Sequence, residues 1–302
     1  MKKAIVFGAN GYIGASVVNK LLENKVEVLA VSRQSEYHFF QKFTERSLLT
    51  HLNLNSSEIF SLPMKIKEIN WAVGESCVFY NFSWSGIEKL MDGTIENQLS
   101  NVAFISNSVK IASQLGCIKF INSGSIEETL AEVYLQNNWN SISYTLNNSN
   151  YAVSKIAARN MCKLLGYLNK IDYVHTRLSA PIDENLSGTS YIVSVFNKIL
   201  NGNEYDIPIN SSLFDLIDLE DVANAYYLLG HYGKNKSDYF IGSGRPQKLV
   251  DYFEFFKNRM NNRETPLRNY DHIFFNSDLL FQDTGLDLSN SFNNLVDKIL
   301  TK

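Results

Sequence analysis

The chain has 302 residues, 45% hydrophobic and 20% charged, enough to bury an ordinary core in one large domain or two closely joined lobes. Its net charge of −3 includes no basic block, which removes the electrostatic footprint of a nucleic-acid binder. No apolar run approaches bilayer-spanning length. Cys77, Cys117 and Cys162 stand far apart, without C-x-x-C or His/Cys metal spacing, so buried free thiols and no metal site are expected. The opening M-K-K-A-I-V-F lacks the apolar length and cleavage site of a signal sequence, and a cytoplasmic protein is expected.

The first element is the most specific. Apolar Ala4 to Phe7 runs into Gly8, Gly11 and Gly14, and Ile13, Val17, Leu21 and Leu22 follow at helical spacing. This predicts a buried strand, a tight turn and a helix ending near Asn24. Gly8 permits a backbone angle closed to other residues. Gly11 admits a pyrophosphate close to the backbone, and Gly14 lets helix and strand approach. The helix N-terminus offers free N–H groups to phosphate. Strand two, Val26 to Val31, ends at Ser32, Arg33 and Gln34, where an acidic residue suits the ribose 2′-hydroxyl of NAD and an arginine the 2′-phosphate of NADP. Arg33 and Ser32 therefore favour NADP; the plainer alternative is an exposed loop arginine.

A short strand is expected at Leu52 to Leu54, with Asn53 near the adenine, then a helix from Glu58 to Asn70 that Pro63 interrupts. Strand Val78 to Phe82 leads to the small-residue turn Ser83-Trp84-Ser85-Gly86. Trp84 either lines a site or packs in the core. A long helix, Thr94 to Leu115, carries Asn101, either facing the sheet or on the helix surface. Strand Ile118 to Asn122 ends in Ser123-Gly124-Ser125. The stretch Thr129 to Asn150, carrying Trp139, reads as a polar loop over the site. Tyr151-Ala-Val-Ser-Lys155 opens a helix to about Leu168, followed by strand Ile171 to Leu178 and Pro181. Later elements are a helix Tyr191 to Leu200, a strand Phe214 to Ile217, a helix Leu219 to Leu229 capped by Asp218, a strand Asp238 to Gly242, a helix Leu249 to Met260, and two short helices around Gly285.

Tyr151 and Lys155, four apart, share one helix face. An ammonium there stabilises a tyrosinate, so a phenol pKa lowered toward working pH is expected, suited to proton exchange with a carbonyl or alcohol oxygen. Ser125 can bond the same oxygen while hydride moves to or from a nicotinamide. A second Y-x-x-x-K, Tyr232 and Lys236, has no serine strand before it and is assigned no role.

The order of glycine turn, serine-ended strand and tyrosine–lysine pair resembles the extended short-chain dehydrogenases/reductases along nearly the whole chain, especially their nucleotide-sugar-modifying branch. The resemblance implies an α/β Rossmann-type doubly wound parallel sheet over residues 1–180 and a smaller, mostly C-terminal α/β substrate lobe over 181–302, with some chain returning to the first lobe. It implies Ser125, Tyr151 and Lys155 as the catalytic trio. Gly8, Asn10, Gly11, Tyr12, Ile13, Gly14, Ser32, Arg33, Ser83, Ser123, Tyr151, Lys155 and Pro181 would meet the cofactor, NADP in preference to NAD. It also implies a homodimer through the helices near 94–115 and 151–168. F-D-L-I-D-L-E-D-V-A, from Phe214, resembles a family segment in which an arginine contacts the substrate pyrophosphate. With phenylalanine there, either Arg245 or Arg268 supplies the charge, or the substrate is not a standard nucleotide sugar. Trp84 and Glu127 are further substrate-binding candidates. Ser125-Ile126-Glu127 matches the spacing of hydroxyl and catalytic glutamate in sugar-nucleotide 4,6-dehydratases, but Ile126 stands where those enzymes carry an acid, which favours a structural or substrate-hydroxyl role for Glu127. The expected activity is NADPH-dependent reduction of a nucleotide 4-keto-6-deoxyhexose in deoxysugar biosynthesis for surface polysaccharide. The alternatives are an epimerase or dehydratase with tightly bound NAD, and a non-catalytic NADP-binding protein.

Overall fold

A computed structural model describes residues 1–34, 43, 46–87, 91–136, 149–207, 212–263, 266–270 and 273–302. The chain divides into two compact units, residues 1–177 with 226–239, and residues 178–225 with 240–302.

The first unit is built on a seven-stranded parallel sheet. Its strands are β1 (Lys3–Phe7), β2 (Glu27–Ser32), β3 (Leu49–Asn53), β4 (Cys77–Asn81), β5 (Lys119–Ser125), β6 (Asp172–Leu178) and, after the second unit's first segment, β10 (Asp238–Ile241). The order is β10-β6-β5-β4-β1-β2-β3. Central β1 pairs on both sides, with Ile5 opposite Leu29 and Phe79. Both of its faces are covered, which is why Ala4 to Phe7 is an unbroken apolar run. The strand order reverses between β1 and β4, and in such sheets a ligand crevice opens at the carboxyl ends of those strands.

Helix α1 (Tyr12–Glu23) buries Val17, Val18, Leu21 and Leu22. It ends at Asn24 as expected, but Lys25, at φ 58°, takes the left-handed position, while the Asn24 amide bonds the Lys20 carbonyl. The helix expected over 58–70 is a 3₁₀ turn, Ser56–Ser61, followed by α2 (Leu62–Glu68). Pro63 starts α2 instead of breaking it, because a first-turn residue needs no intrahelical N–H bond. Helices α3 (Ile95–Gln114) and α5 (Ser149–Leu168) pack on each other. The polar loop expected from Thr129 is, in its first part, helix α4 (Ile126–Gln136). Its strong helix formers and acidic first turn, Glu127 and Glu128, outweigh the polar composition. Residues 137–148, Trp139 among them, lie outside the described residues. Cys77, Cys117 and Cys162 are buried free thiols, and burial pushes Cys162 up to about 12.

In the second unit, β7 (Ala180–Ile182) pairs with β9 (Leu216–Asp218), and β8 (Leu213–Phe214) with β11 (Gln247–Lys248). The single strand expected from Phe214 to Ile217 is thus broken at Asp215. The Asp215 carboxylate turns inward to accept bonds from the Ser243 N–H and hydroxyl and the Gly244 N–H. Helices α6 (Tyr191–Leu200), α8 (Leu249–Met260) and α10 (Ser291–Leu300) meet around Phe196, Phe253, Phe256 and Phe292. Helix α9 (Asp278–Thr284) ends at left-handed Gly285. Asp218 accepts from the Glu220 N–H at the start of α7 (Leu219–Tyr232), which begins in the second unit and leads into the first unit's return segment. Among the described residues no helix is long and apolar enough to cross a membrane.

Candidate active site

At the β1–β4 reversal the crevice is a cavity of about 520 Å³, lined by Gly8, Asn10, Gly11, Ser32, Arg33, Gln34, Leu54, Ser56, Ser83 and Trp84 among others. Gly8 has φ +84°, and a Cβ there would stand 2.8 Å from the Ser83 nitrogen. A Cβ on Gly14 would stand 2.2 Å from the Gly8 carbonyl oxygen. These two positions are therefore closed to side chains, and Gly11 caps α1, whose N-terminus opens beside the cavity. Space, backbone donors and polar rim fit a nicotinamide dinucleotide. At the far rim Ser32 bonds the His51 imidazole at 2.9 Å, and Arg33 is exposed. Leu54 and Ser56, rather than Asn53, line the wall there. Tyr12 and Ile13 sit in the first turn of α1 and are not among the lining residues.

The turn after β4 is fixed from behind. Asn101 on α3 is buried; its side-chain oxygen accepts from the Ser85 N–H at 2.9 Å and its amide donates to the Ser85 carbonyl at 2.8 Å. Asn101 thus faces the sheet-end turn. The Trp84 indole N–H donates to Gln98 at 2.7 Å. Its ring meets the Tyr151 ring edge-on at 5.6 Å and lies 4.0 Å beneath the Lys155 ammonium. Trp84 is therefore both packed and part of the site wall.

All seven residues of β5 are buried. Gly124 near its end is obligatory: a Cβ would fall 2.3 Å from both a Glu128 carboxylate oxygen and the Thr176 carbonyl oxygen. Ser125 ends the strand and starts α4. Its hydroxyl accepts from the Glu127 N–H at 3.2 Å, and its own N–H donates to Glu128 at 2.8 Å. This is the S-x-x-E cap of a helix start, a signal present in Ser125-Ile-Glu-Glu128 that identifies both α4 and Glu128. The hydroxyl of Ser123 accepts from Tyr226, and its carbonyl from the Lys155 ammonium at 2.8 Å.

Tyr151 and Lys155 stand one turn apart on α5, both buried. Burial brings Lys155 down to about 8. The Tyr151 phenol moves opposite to the sequence expectation. Burial holds it well above its ordinary value, and Glu128 and Glu127 add to the rise, against the opposing influence of the Ser125 hydroxyl. At neutral pH Tyr151 thus carries its proton, the state of a general acid. Glu127 is half-buried, and its carboxyl is raised by that burial.

The remaining candidates lie in the second unit. Pro181 sits in β7. Arg245 and Arg268 share the wall of a cavity of about 890 Å³ with Gln247, Phe255, Leu267 and Arg259. Gln247 clamps Arg268 through both backbone groups, and the Arg268 guanidinium pairs with Asp251 at 3.2 Å. Phe214, in place of the expected arginine, packs against the aromatic core of this unit. Gln247 and Arg259 carry no sequence motif that singles them out.

The fold and the crevice are those of an enzyme working on a nicotinamide dinucleotide. The chain belongs to the NAD dependent epimerase/dehydratase family, whose model matches residues 4–242. Among solved structures it resembles dTDP-glucose 4,6-dehydratase from Bacillus anthracis in complex with NAD, with a TM-score of 0.73 at 14% identity over 100% of this chain and 97% of that one. UDP-N-acetylglucosamine 4-epimerase from Bacillus cereus matches equally, at 0.73 and 14%, over 100% and 96%. The Bordetella bronchiseptica enzyme WbmF in complex with NADH matches at 0.72 and 16%, over 99% and 91%. At these identities the likeness is one of fold.

Proposed function

We propose that this enzyme reduces the ketone of a nucleotide-linked 4-keto-6-deoxyhexose with NADPH, in the cytoplasm, as a step of deoxysugar synthesis for surface polysaccharide. The observation that carries the reading is the group Ser125, Tyr151 and Lys155, brought together at the carboxyl end of β5 with a protonated phenol. A nicotinamide dinucleotide held in the cavity would supply a hydride to the carbonyl carbon. Tyr151 gives its proton to the carbonyl oxygen, and Ser125 donates a hydrogen bond to the same atom. Lys155, held by the Ser123 carbonyl, offsets the charge left on the phenolate. Trp84 closes one side and keeps water from that ammonium. In the second unit either Arg268, whose backbone Gln247 fixes, or Arg245 supplies the diphosphate-binding charge that Phe214 does not.

NADPH consumption with a panel of nucleotide 4-keto-6-deoxyhexoses tests the reading, and absence of turnover with all of them counts against it. Preference for NADP rests on Arg33 at the cavity rim. Arg33→Ala lowers NADPH affinity about tenfold and leaves NADH affinity within about twofold, the loss of one charge-assisted phosphate contact. Equal effects on both cofactors remove that preference.

Glu127 favours a second reading. Its raised carboxyl stands two residues after Ser125, suited to proton removal in a dehydratase that regenerates a bound NAD. Product formation without added nicotinamide distinguishes it. Apolar side chains exposed on α3 and α5, including Leu99, Val153, Met161 and Leu164, suit a homodimer, which sedimentation checks.

A further inference from the structure

Glu128 has no part in the chemistry above, yet it is the only carboxylate among the described residues that is fully buried and bonded to the backbone of Ser125. One of its oxygens accepts from the Ser125 N–H at 2.8 Å, and the other meets His175 Nε2 at 2.9 Å. A proton on Nε2 satisfies every neighbour of that imidazole. It donates to Glu128 and accepts at Nδ1 from the Tyr173 hydroxyl at 3.1 Å and the Asn122 amide at 3.4 Å. Asn122 in turn accepts from the Asn81 amide at 2.9 Å, and Asn81 accepts from the Ser83 N–H at 3.2 Å. A buried hydrogen-bonded chain therefore crosses the carboxyl ends of β4, β5 and β6. It joins the cavity turn at Ser83 to the serine at the end of β5.

We propose that Glu128 is a positioning residue: through Ser125 and His175 it fixes the catalytic serine to the turn that lines the dinucleotide cavity. The proposal rests on the assignment of Ser125, Tyr151 and Lys155 as the catalytic group. A helix cap alone does not account for Glu128. A glutamine at that position caps equally well, whereas an ionised carboxylate away from water is costly unless it is paired. Glu128 is paired. Facing it are His175 from β6, the Arg159 guanidinium of α5 at 3.8 Å and, by its field, Lys155 of the same helix. Arg159 is shared with Glu132. Tyr151 feels Glu128, Glu127 and Tyr226. Glu128 supports the charged form of Lys155 and the protonated form of Tyr151, so its charge raises both titrations. Removing it lowers both, and both act in one direction on a reduction that needs Lys155 charged and Tyr151 protonated.

The test compares Glu128→Gln, Glu128→Ala, Glu132→Gln and Tyr151→Phe in the full chain. It follows NADPH oxidation by dTDP- and UDP-4-keto-6-deoxyglucose across pH, with hydrogen exchange at the Ser125 amide as a readout independent of turnover. Glu128→Ala is expected to lose about 100-fold in kcat with KM within about threefold, and to release the Ser125 amide to fast exchange. Glu128→Gln keeps the bond to Ser125 and recovers most of that loss, while its alkaline limb moves to lower pH. Glu132→Gln stays within about twofold of the parent with its pH profile unmoved. A Gln variant with parental kcat and an unmoved alkaline limb, beside an inactive Tyr151→Phe, overturns the role of the charge and leaves a helix cap. Loss of neither activity in Glu128→Ala nor in Tyr151→Phe overturns the catalytic group itself, and the positioning role with it. If the parent turns over neither probe, the exchange arm decides: a Ser125 amide still protected in Glu128→Ala refutes the anchoring.

Discussion

Lys155→Met should stabilise the first unit while abolishing turnover. The ammonium is fully surrounded by protein, and burial brings it from its ordinary 10.5 to about 8. A displacement of that size corresponds to about 3 kcal/mol of unfavourable burial of the charged form at neutral pH. A methionine of similar length removes that cost but leaves the Ser123 carbonyl without the donor it has at 2.8 Å, a loss of about 1 kcal/mol. The net expectation is a gain of about 2 kcal/mol at pH 7. The pH dependence follows from the direction of the shift. Between about pH 8 and 10.5 the unfolded chain holds more protons at this lysine than the folded one, so the parent gains stability as pH rises through that window. The advantage of the variant therefore shrinks as pH rises and, once the burial cost is gone by about pH 10.5, gives way to the lost Ser123 bond, a deficit of about 1 kcal/mol. Urea unfolding at pH 7, 9 and 10 measures it through tryptophan fluorescence, since Trp71 and Trp84 both belong to this unit. A variant less stable than the parent at pH 7, or a difference that does not change with pH, refutes the reasoning.

Gly124→Ala forces a Cβ to within 2.3 Å of the Thr176 carbonyl oxygen, which cannot move without β6, so it costs at least about 1–3 kcal/mol by denaturant unfolding, beyond any effect on rate. Gly8→Ala places a side chain at φ +84° and 2.8 Å from the Ser83 nitrogen; NADPH affinity measured by fluorescence titration falls by more than tenfold. Asp215 is pushed up to about 6 by burial, so the folded second unit holds that proton more tightly than the unfolded chain. Stability from this group is complete below about pH 4 and is lost as pH rises through 6, about 3 kcal/mol in all; Asp215→Asn flattens that part of the stability profile.

What was legible in the sequence is what is local. The glycine turn, its strand and its helix lie within the first 23 residues, and spacing alone places them. The tyrosine–lysine pair is likewise a helix-turn relation, and the serine strand ends where composition changes. Helix α4 was locally written too, in the S-x-x-E start at Ser125, but the asparagine-rich stretch that follows obscured it. What was not legible depends on contacts distant in the chain. Glu128 meets His175 across 47 residues, and Trp84 reaches beneath Lys155 only because β4 and β5 are neighbours. The direction of the Tyr151 shift is not local for the same reason. The lysine one turn away is visible in sequence, whereas the depth of burial and the two carboxylates on α4 are not. The Gln247 side chain that holds both backbone groups of Arg268 is likewise distant, 21 residues before it.

In the proposed reaction Tyr151 gives the proton during hydride transfer to a nucleotide-linked keto sugar. Single-turnover NADPH oxidation by dTDP- and UDP-4-keto-6-deoxyglucose, run for the parent and Tyr151→Phe at saturating cofactor, tests it most directly. The expected result is turnover by the parent with at least one of the two and a fall of about 10²–10⁴ in the hydride-transfer rate of the variant, with cofactor affinity unchanged. A Tyr151→Phe enzyme that transfers hydride at the parental rate would contradict it.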